Sequence, residues 1–371
     1  MRVLVINSGS SSLKGSLIGE PGDETLARHE VDWGTDATAH ADRAGGVRRL
    51  IEGLRDGGEV EAVGYRVVHG GDRFRAPTMV DDAVIDAIES LSSVAPLHNP
   101  VAAETIRAAR ALVGGVPHVA CFDTSFHATL PEDAWRYPVP RAWVETHGLR
   151  RYGFHGLSVE WSVGRAAALL DRPAEDLRLV VAHLGSGCSV TAVAGGRSID
   201  TSMGFTPLEG LMMGSRAGSI DPGILLHLLR AGMSLDELAD GLDHRSGLVA
   251  VSGTAGGARE LEAASIQEDR SATLALRMFA RRAAAGIAAA ASTLDRLDAL
   301  VFTGGIGENS AMLRVGITGR LAILGVPRVD GGASEDRILT PPDAPVAVLR
   351  VEAREDLAIA RAVHRVVHSA G

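Results

Sequence analysis

The sequence predicts an α/β protein made of two related domains. Three observations carry that expectation. The 371 residues are more than one ordinary core organises. Short apolar, β-branched runs alternate with stretches of helical spacing along the whole chain. A strand–turn–strand unit over residues 2–18 recurs at 177–194. Placing Ser12 on Ser189 aligns Ser11-Ser12-Leu13 with Cys188-Ser189-Val190, each preceded by a glycine-containing turn.

Taken in order, residues 2–7 form an apolar strand, and 13–18 its hairpin partner across a serine-rich turn. Residues 21–44 are polar and acidic, and read as peripheral strands and loop. The spacing of Val47, Leu50, Ile51 and Leu54 predicts a helix over 47–55. A strand over 62–68 ends at His69-Gly70-Gly71. Helices follow over 81–91 and 100–112, the second opened by Pro100 in its first turn. Residues 118–122 form a buried strand ending at Asp123. The second round has strands at 177–184 and 190–194, and helices at 224–231, 234–242, 258–264 and 271–294. A strand at 299–303 feeds a glycine loop and a helix from Ser310. A last strand at 346–351 leads into a helix over 356–367.

Hydrophobic residues make up 46% of the chain and charged residues 22%, as in a soluble globular enzyme. Aromatics are only 4%, so the core is aliphatic. A net charge of −9 disfavours a nucleic-acid partner, which requires a basic surface, but is compatible with a local anion site. Cys121 and Cys188 form no metal or redox pattern. No secretory leader is evident, and the Ala-rich stretch 281–294, with Arg281 and Arg282 at one end, reads as a buried helix and not a membrane span. A cytoplasmic protein without a membrane partner is expected.

The chemistry concentrates in three small-residue segments that each follow an apolar strand. They are Asn7-Ser8-Gly9-Ser10-Ser11-Ser12, Gly185-Ser186-Gly187-Cys188-Ser189 and Gly304-Gly305-Ile306-Gly307-Glu308-Asn309. Glycine lets backbone N–H groups converge closely on an anion, so three such segments point to a polyphosphate. A Walker loop and a dinucleotide fingerprint are both absent. Arg66 lies inside an apolar strand, where a charge must be paired or turned toward a ligand. Arg216 follows Gly214-Ser215. Two guanidiniums suit a transferring phosphoryl group, which spreads its charge over three equatorial oxygens. Asp123 at a strand end and Glu355 at a strand-to-helix junction are typical positions for magnesium ligands; Glu355 also reads as a helix N-terminal carboxylate. His98 and His155 lie in Pro- and Gly-framed loops that fix backbone direction; His127, His147 and His244 do not.

Seven motifs together resemble the acetate kinase (acetate/propionate kinase) family. They are Val3-Leu4-Val5-Ile6-Asn7-Ser8-Gly9-Ser10-Ser11-Ser12-Leu13-Lys14, Arg66-Val67-Val68-His69-Gly70-Gly71, Leu97-His98-Asn99-Pro100, Phe122-Asp123-Thr124, Arg151-Tyr152-Gly153-Phe154-His155-Gly156, Asp200-Thr201-Ser202-Met203-Gly204 and Phe302-Thr303-Gly304-Gly305-Ile306-Gly307-Glu308-Asn309. They run in order along nearly the whole chain. The resemblance implies two actin-like (ribonuclease H-like) domains with a duplicated mixed-sheet core and an interdomain cleft. It implies a first domain over 1–126, to which a C-terminal helix over 356–371 returns, and a second over 127–355 that carries nucleotide and dimer contacts. The implied activity is reversible transfer of the ATP γ-phosphoryl to a short-chain carboxylate by a homodimer with Mg2+ (or Mn2+). Acetate is the first acceptor; propionate kinase activity, or nucleotide sensing without turnover, are the alternatives.

Carried over residue by residue, the resemblance puts Asn7, Ser10, Ser12 and Lys14 in a first phosphate segment. His183, Gly185, Ser186 and Gly187 form a second, with Gly304, Gly305, Ile306, Gly307 and Asn309 beside the nucleotide together with Gly257 and Arg259. Arg66 and Arg216 would hold the carboxylate and the phosphoryl group, and His155 would stabilise the transition state with His98 in support. Asp123 would serve the active-site geometry, and Asn7 and Glu355 the metal. Val68, Leu97, Phe154 and Pro207 would enclose the acyl methyl. The chain departs from the family pattern at Ser186 (usually Asn), Leu157 (Thr), Val159 (His), Ser219 (Asp) and Gly257 (Asp).

Overall fold

The computed structural model describes residues 1–9, 12–21, 23–32, 42–96, 98–329, 332 and 334–369. The chain divides into two compact units, Met1–Ala128 with Arg354–Gly371, and Thr129–Ala353. Each is an α/β unit around one six-stranded mixed sheet.

In the first unit the strands are β1 (Arg2–Ser8), β2 (Ser12–Gly19), β3 (Glu24–Asp32), β4 (Ala62–Val67), β5 (Thr78–Met79) and β6 (His118–Phe122). Their order is β3-β2-β1-β4-β6-β5. The hairpins β1–β2 and β2–β3 are antiparallel, β4 and β6 run parallel to β1, and β5 is an antiparallel edge. Three helices, α1 (Arg43–Gly53), α2 (Asp82–Ser90) and α3 (Asn99–Leu112), accompany the sheet. Asp42 and Asp81 cap the first two by accepting hydrogen bonds from Gly45 N and Val84 N. Leu4, Ile6, Leu17, Leu50, Val63 and Ile106 belong to one aliphatic core, all buried. The C-terminal helix, Glu355–Ser369, packs on β1 and β4. Gly64 permits its approach: a Cβ there would stand 2.5 Å from Ile359 Cγ2 and 2.7 Å from Val363 Cγ2.

In the second unit the strands are β7 (Arg178–Leu184), β8 (Cys188–Ala194), β9 (Arg197–Thr201), β10 (Ala299–Thr303), β11 (Arg337–Ile338) and β12 (Ala347–Arg350). Read from the β9 edge, the order β9-β8-β7-β10-β12-β11 repeats the first sheet strand for strand, with the same pairing senses. The duplication expected from the recurring strand–turn–strand unit is therefore present in topology. Its longer helices and those at the site are α4 (Gly156–Leu170), α5 (Pro222–Arg230), α6 (Leu235–His244), α7 (Ala258–Ile266), α8 (Arg270–Ala291), α9 (Gly304–Asn309) and α10 (Ala311–Thr318), with short helices also at Glu132–Trp135, Arg141–His147 and Gly247–Ser252. The Ala-rich α8 buries Ala275, Leu276, Phe279, Ala283 and Ile287 along one face. Among the described residues no helix is long and apolar enough to cross a membrane.

One local expectation needs correction. The third glycine segment is no loop, because β10 runs directly into α9 at Gly304. Gly304 makes the junction possible with φ +76, and a Cβ there would stand 2.8 Å from Leu184 O.

Candidate active site

In the first unit, the carboxyl ends of the parallel strands gather four polar side chains. Asn7 on β1 pairs in register with Arg66 on β4, and Asp123 follows β6 directly. Arg66 donates from Nε to Asp123 Oδ1 at 3.1 Å and from Nη2 to Asp123 Oδ2 at 2.6 Å, a bidentate pair. Its Nε also lies 3.2 Å from Glu355 Oε2, and its Nη1 donates to Asn7 Oδ1 at 3.4 Å. Burial opposes the charge on Arg66, but the Asp123 and Glu355 carboxylates outweigh it and raise the guanidinium's pKa. Arg66 is thus both an ion-paired side chain and the centre of a cluster that combines two carboxylates with an amide oxygen. These are hard oxygen donors of the kind Mg2+ takes when most of its other ligands are phosphate and water. Among the described residues no three His, Cys, Asp or Glu side chains form a metal cage by themselves. The donor set fits a Mg2+ ion held mainly by its substrate.

The remaining first-unit candidates are less concentrated. Ser10 and Leu97 lie outside the described residues. Ser12 opens β2 and its carbonyl accepts from Gly9 N at 2.8 Å, closing the turn. Lys14 is exposed, with its ammonium 3.5 Å from Glu30 on the neighbouring strand. Val68 and His98 are half-buried, His98 directly before α3. Below them Asn99, fully buried, donates to His69 O at 2.9 Å and Ile88 O at 3.2 Å, which pins the His69-Gly70-Gly71 turn.

In the second unit, His155 stands at the N-terminus of α4 in the left-handed conformation, φ 58, which side chains other than glycine adopt only under constraint. Its ring stacks on His183, the last residue but one of β7, with centroids 4.1 Å apart. His155 Nδ1 lies 3.0 Å from Ser189 Oγ, and His183 Nδ1 lies 2.8 Å from Ser158 Oγ. The turn Gly185-Ser186-Gly187 passes beside them. A Cβ on Gly187 would stand 3.3 Å from His155 Nε2 and 3.7 Å from Arg216 Nη1, so imidazole, guanidinium and turn converge. A Cβ on Gly185 would stand 4.0 Å from Gly305 N, which brings the third segment to the same place. Arg216 is half-buried; it donates to Pro207 O at 3.1 Å and approaches Met213 Sδ at 3.7 Å. Among the described residues it has no carboxylate partner. Phe154 is buried and Pro207 half-buried.

The segment 304–309 is held from below. Buried Arg314 donates to Gly307 O at 2.7 Å and Glu308 O at 2.8 Å, and Asn309 donates to Gly305 O at 2.9 Å. Gly305 itself is open, with nothing near the position of a Cβ. Ile306 is half-buried. Gly257 and Arg259 are exposed at the start of α7, whose Glu262 accepts a hydrogen bond from Ser310 Oγ beside Asn309. The departures from the family pattern are locally accommodated. Ser186 shapes its turn through its carbonyl, which accepts from Gly214 N at 3.1 Å. Leu157 and Val159 are buried apolar residues of α4, and Ser219 closes a loop by accepting from Gly210 N at 3.1 Å.

Sequence reasoning missed a supporting clamp. Arg151 Nη1 donates to the carbonyls of Thr201, Ser202 and Met203, at 3.0, 3.1 and 3.1 Å, and Nη2 to Glu209 Oε1 at 2.8 Å. Tyr137 donates to the other oxygen of Glu209 and accepts from Phe205 N. Two of the quoted motifs, the one starting at Arg151 and the one starting at Asp200, therefore meet here. The clamp holds the start of the long loop that carries Pro207 and Arg216. An arginine beside an aromatic run and a distant Glu give no local signal of this.

Two copies of one mixed sheet, one with Arg66, Asp123 and Glu355 at its strand ends and the other with Arg216, His155 and His183 beside a glycine turn, define a two-domain phosphotransferase of the actin-like α/β class. Residues 2–361 match the acetokinase family, and the chain belongs to it. It is 45% identical over 396 residues to an acetate kinase of Synechococcus sp. (strain JA-2-3B'a(2-13)), covering 98% of each chain. An acetate kinase of Deinococcus radiodurans is likewise 45% identical, over 401 residues, covering 100% of this chain and 99% of the relative. Among solved structures, an acetate kinase of Porphyromonas gingivalis superposes with a TM-score of 0.89 at 32% identity, covering 99% of both chains. A propionate kinase of Francisella tularensis gives 0.88 at 33% identity, covering 98% of this chain and 99% of its own.

Proposed function

We propose that this chain is an acetate kinase, which moves the γ-phosphoryl group of ATP directly and reversibly onto acetate, giving acetyl phosphate and ADP. The observation that carries the assignment of roles is Arg216, a half-buried guanidinium with no carboxylate partner among the described residues, which converges with His155 on Gly187. A fixed, uncompensated cation is what charge developing on equatorial phosphoryl oxygens requires.

Acetate is already an anion, so no strong base is needed to activate it. The barrier to be lowered is repulsion between a carboxylate and a polyphosphate. Arg216 and His155 would stabilise the transferring group, with His98 in support, and Arg66 would hold the carboxylate, oriented by Asp123. Val68, Leu97, Phe154 and Pro207 would enclose the methyl group. The turns at Asn7–Lys14 and His183–Gly187 would bind phosphates through main-chain N–H groups. Gly304, Gly305, Ile306, Gly307 and Asn309, with Gly257 and Arg259, would border the nucleoside, and the open space at Gly305 supports this. Asn7 and Glu355, with Asp123, would hold Mg2+, which when bound neutralises phosphate charge. The in-line arrangement itself supplies much of the acceleration.

We further propose a cytoplasmic homodimer. Helix α5 supports the dimer, because it buries none of its residues and leaves Ile224, Leu226 and Leu229 between 41 and 52% exposed; Leu235, just beyond it, is 72% exposed.

Trapping the acyl phosphate as its hydroxamate, across acetate, propionate and butyrate and with ATP, GTP or pyrophosphate as donor, tests the proposal. Turnover with ATP, highest for acetate, is expected. Highest turnover with propionate would move the assignment to a propionate kinase, which the likeness to the Francisella protein favours as second reading. A folded protein that binds ATP and turns over none of the three would mark a nucleotide sensor.

A further inference from the structure

We infer that Ser189 and Ser158 fix the tautomers of His155 and His183, so that both rings carry their proton on Nε2 and face the Gly185–Gly187 turn as hydrogen-bond donors. Both serine side chains are fully buried. Each hydroxyl has a single hydrogen-bond partner among the described residues, an imidazole Nδ1, at 3.0 Å for Ser189 and 2.8 Å for Ser158. A hydroxyl owns one hydrogen. Were the ring to donate from Nδ1, that hydrogen would be buried without an acceptor. Donation from the hydroxyl to Nδ1 satisfies both atoms. The ring proton then sits on Nε2.

The stacking points the same way. Two cationic rings with centroids 4.1 Å apart and planes 23° from parallel would repel each other. Two neutral rings, each with its Nδ1 lone pair occupied, stack without that conflict. Both Nε2 atoms lie toward the turn: a Cβ on Gly187 would be 3.3 Å from that of His155, and a Cβ on Gly185 3.7 Å from that of His183. With Arg216 Nη1 at 3.7 Å from the same Gly187 position, the side chains around the turn form a set of donors. Such a set accepts a phosphoryl oxygen and rejects any group that brings its own proton to donate.

Ser189 and Ser158 are thus positioning residues, acting through the imidazoles; their effect on turnover rests on the kinase reading, whereas the tautomers do not. Side-chain 15N NMR of the full chain with labelled histidine tests the inference, the signals being assigned with His155→Gln and His183→Gln. At neutral pH both rings should show a protonated Nε2 and a bare Nδ1. Ser189→Ala should shift His155 to a mixture of tautomers and lower kcat by about 10-fold, with KM for acetate changed by no more than about 2-fold. A wild-type His155 or His183 protonated on Nδ1, or cationic, overturns the inference, as does a folded Ser189→Ala variant with an unchanged His155 spectrum. If Ser189→Ala fails to fold, the wild-type spectrum and the His183 signals of Ser158→Ala decide in the same way. Wild-type rings with the expected tautomers in a protein that transfers no phosphoryl group would sustain this inference and sink the kinase reading alone.

Discussion

Arg66 and Arg216 carry the same group in opposite electrostatic settings. Arg66 is tied to Asp123, which is 1% exposed, and to Glu355, whereas Arg216 is held by a carbonyl and a thioether. The two alanine variants should therefore fail differently. Arg66→Ala removes the bidentate cationic partner of a buried carboxylate and is expected to destabilise the protein by about 3 kcal/mol as well as abolish transfer. Arg216→Ala strands no buried charge, so its unfolding free energy in urea should stay within about 0.5 kcal/mol of wild type while kcat falls at least about 100-fold. Equal loss of stability in both variants would contradict this division of roles. Of the site residues, Arg66 and Asp123 were readable from sequence because a charge inside or at the end of an apolar strand demands a reason. The serines that orient His155 and His183 were not, since a buried serine on a strand or helix has no distinguishing sequence context.

At the scale of elements, the strands with continuous apolar runs, β1, β6 and β10, lie where sequence periodicity puts them. The two-residue strands β5 and β11 exist only through their partners and leave no periodicity to read. Helix α4 was missed because it starts directly after a glycine-framed histidine and mixes buried serines with its apolar residues, so that its eight buried positions out of fifteen leave no clean amphipathic pattern. Helix α9 was hidden by its glycines, which signal a loop until the pairing of β10 with β7 holds the junction in place. The C-terminal helix offers an element-level test. Asp356 in its first turn accepts from Arg354 Nε at 2.9 Å and Nη2 at 3.0 Å, and from Arg28 Nη2 at 3.2 Å. Burial raises the Asp356 pKa, but the hydrogen bonds and charges of Arg354, then the charge of Arg28, outweigh it, and the net shift is downward. A carboxyl depressed on folding stabilises the native state above its unfolded pKa, and that contribution is lost as pH falls through the folded value. Asp356→Asn should cost about 1–2 kcal/mol at pH 7 in urea titration, with the gap to wild type closing in acid below the ordinary carboxylate range. A gap that does not change with pH would show that the helix is held by packing alone.

At the scale of the molecule, the repeated sheet was legible as two related strand–turn–strand units, although only its topology establishes the duplication. The proposed dimer is testable on the exposed apolar side chains of α5. Sedimentation should give a mass near twice that of the 38.7 kDa chain, and Leu226→Glu should shift it to the monomer. A monomeric wild type would exclude the dimer without touching the chemistry. The chemistry is tested most directly by a 31P NMR time course of the full chain with ATP, Mg2+ and acetate. Acetyl phosphate and ADP rising in step is the expected result; ADP accompanied only by inorganic phosphate, or no change at all, would contradict the account.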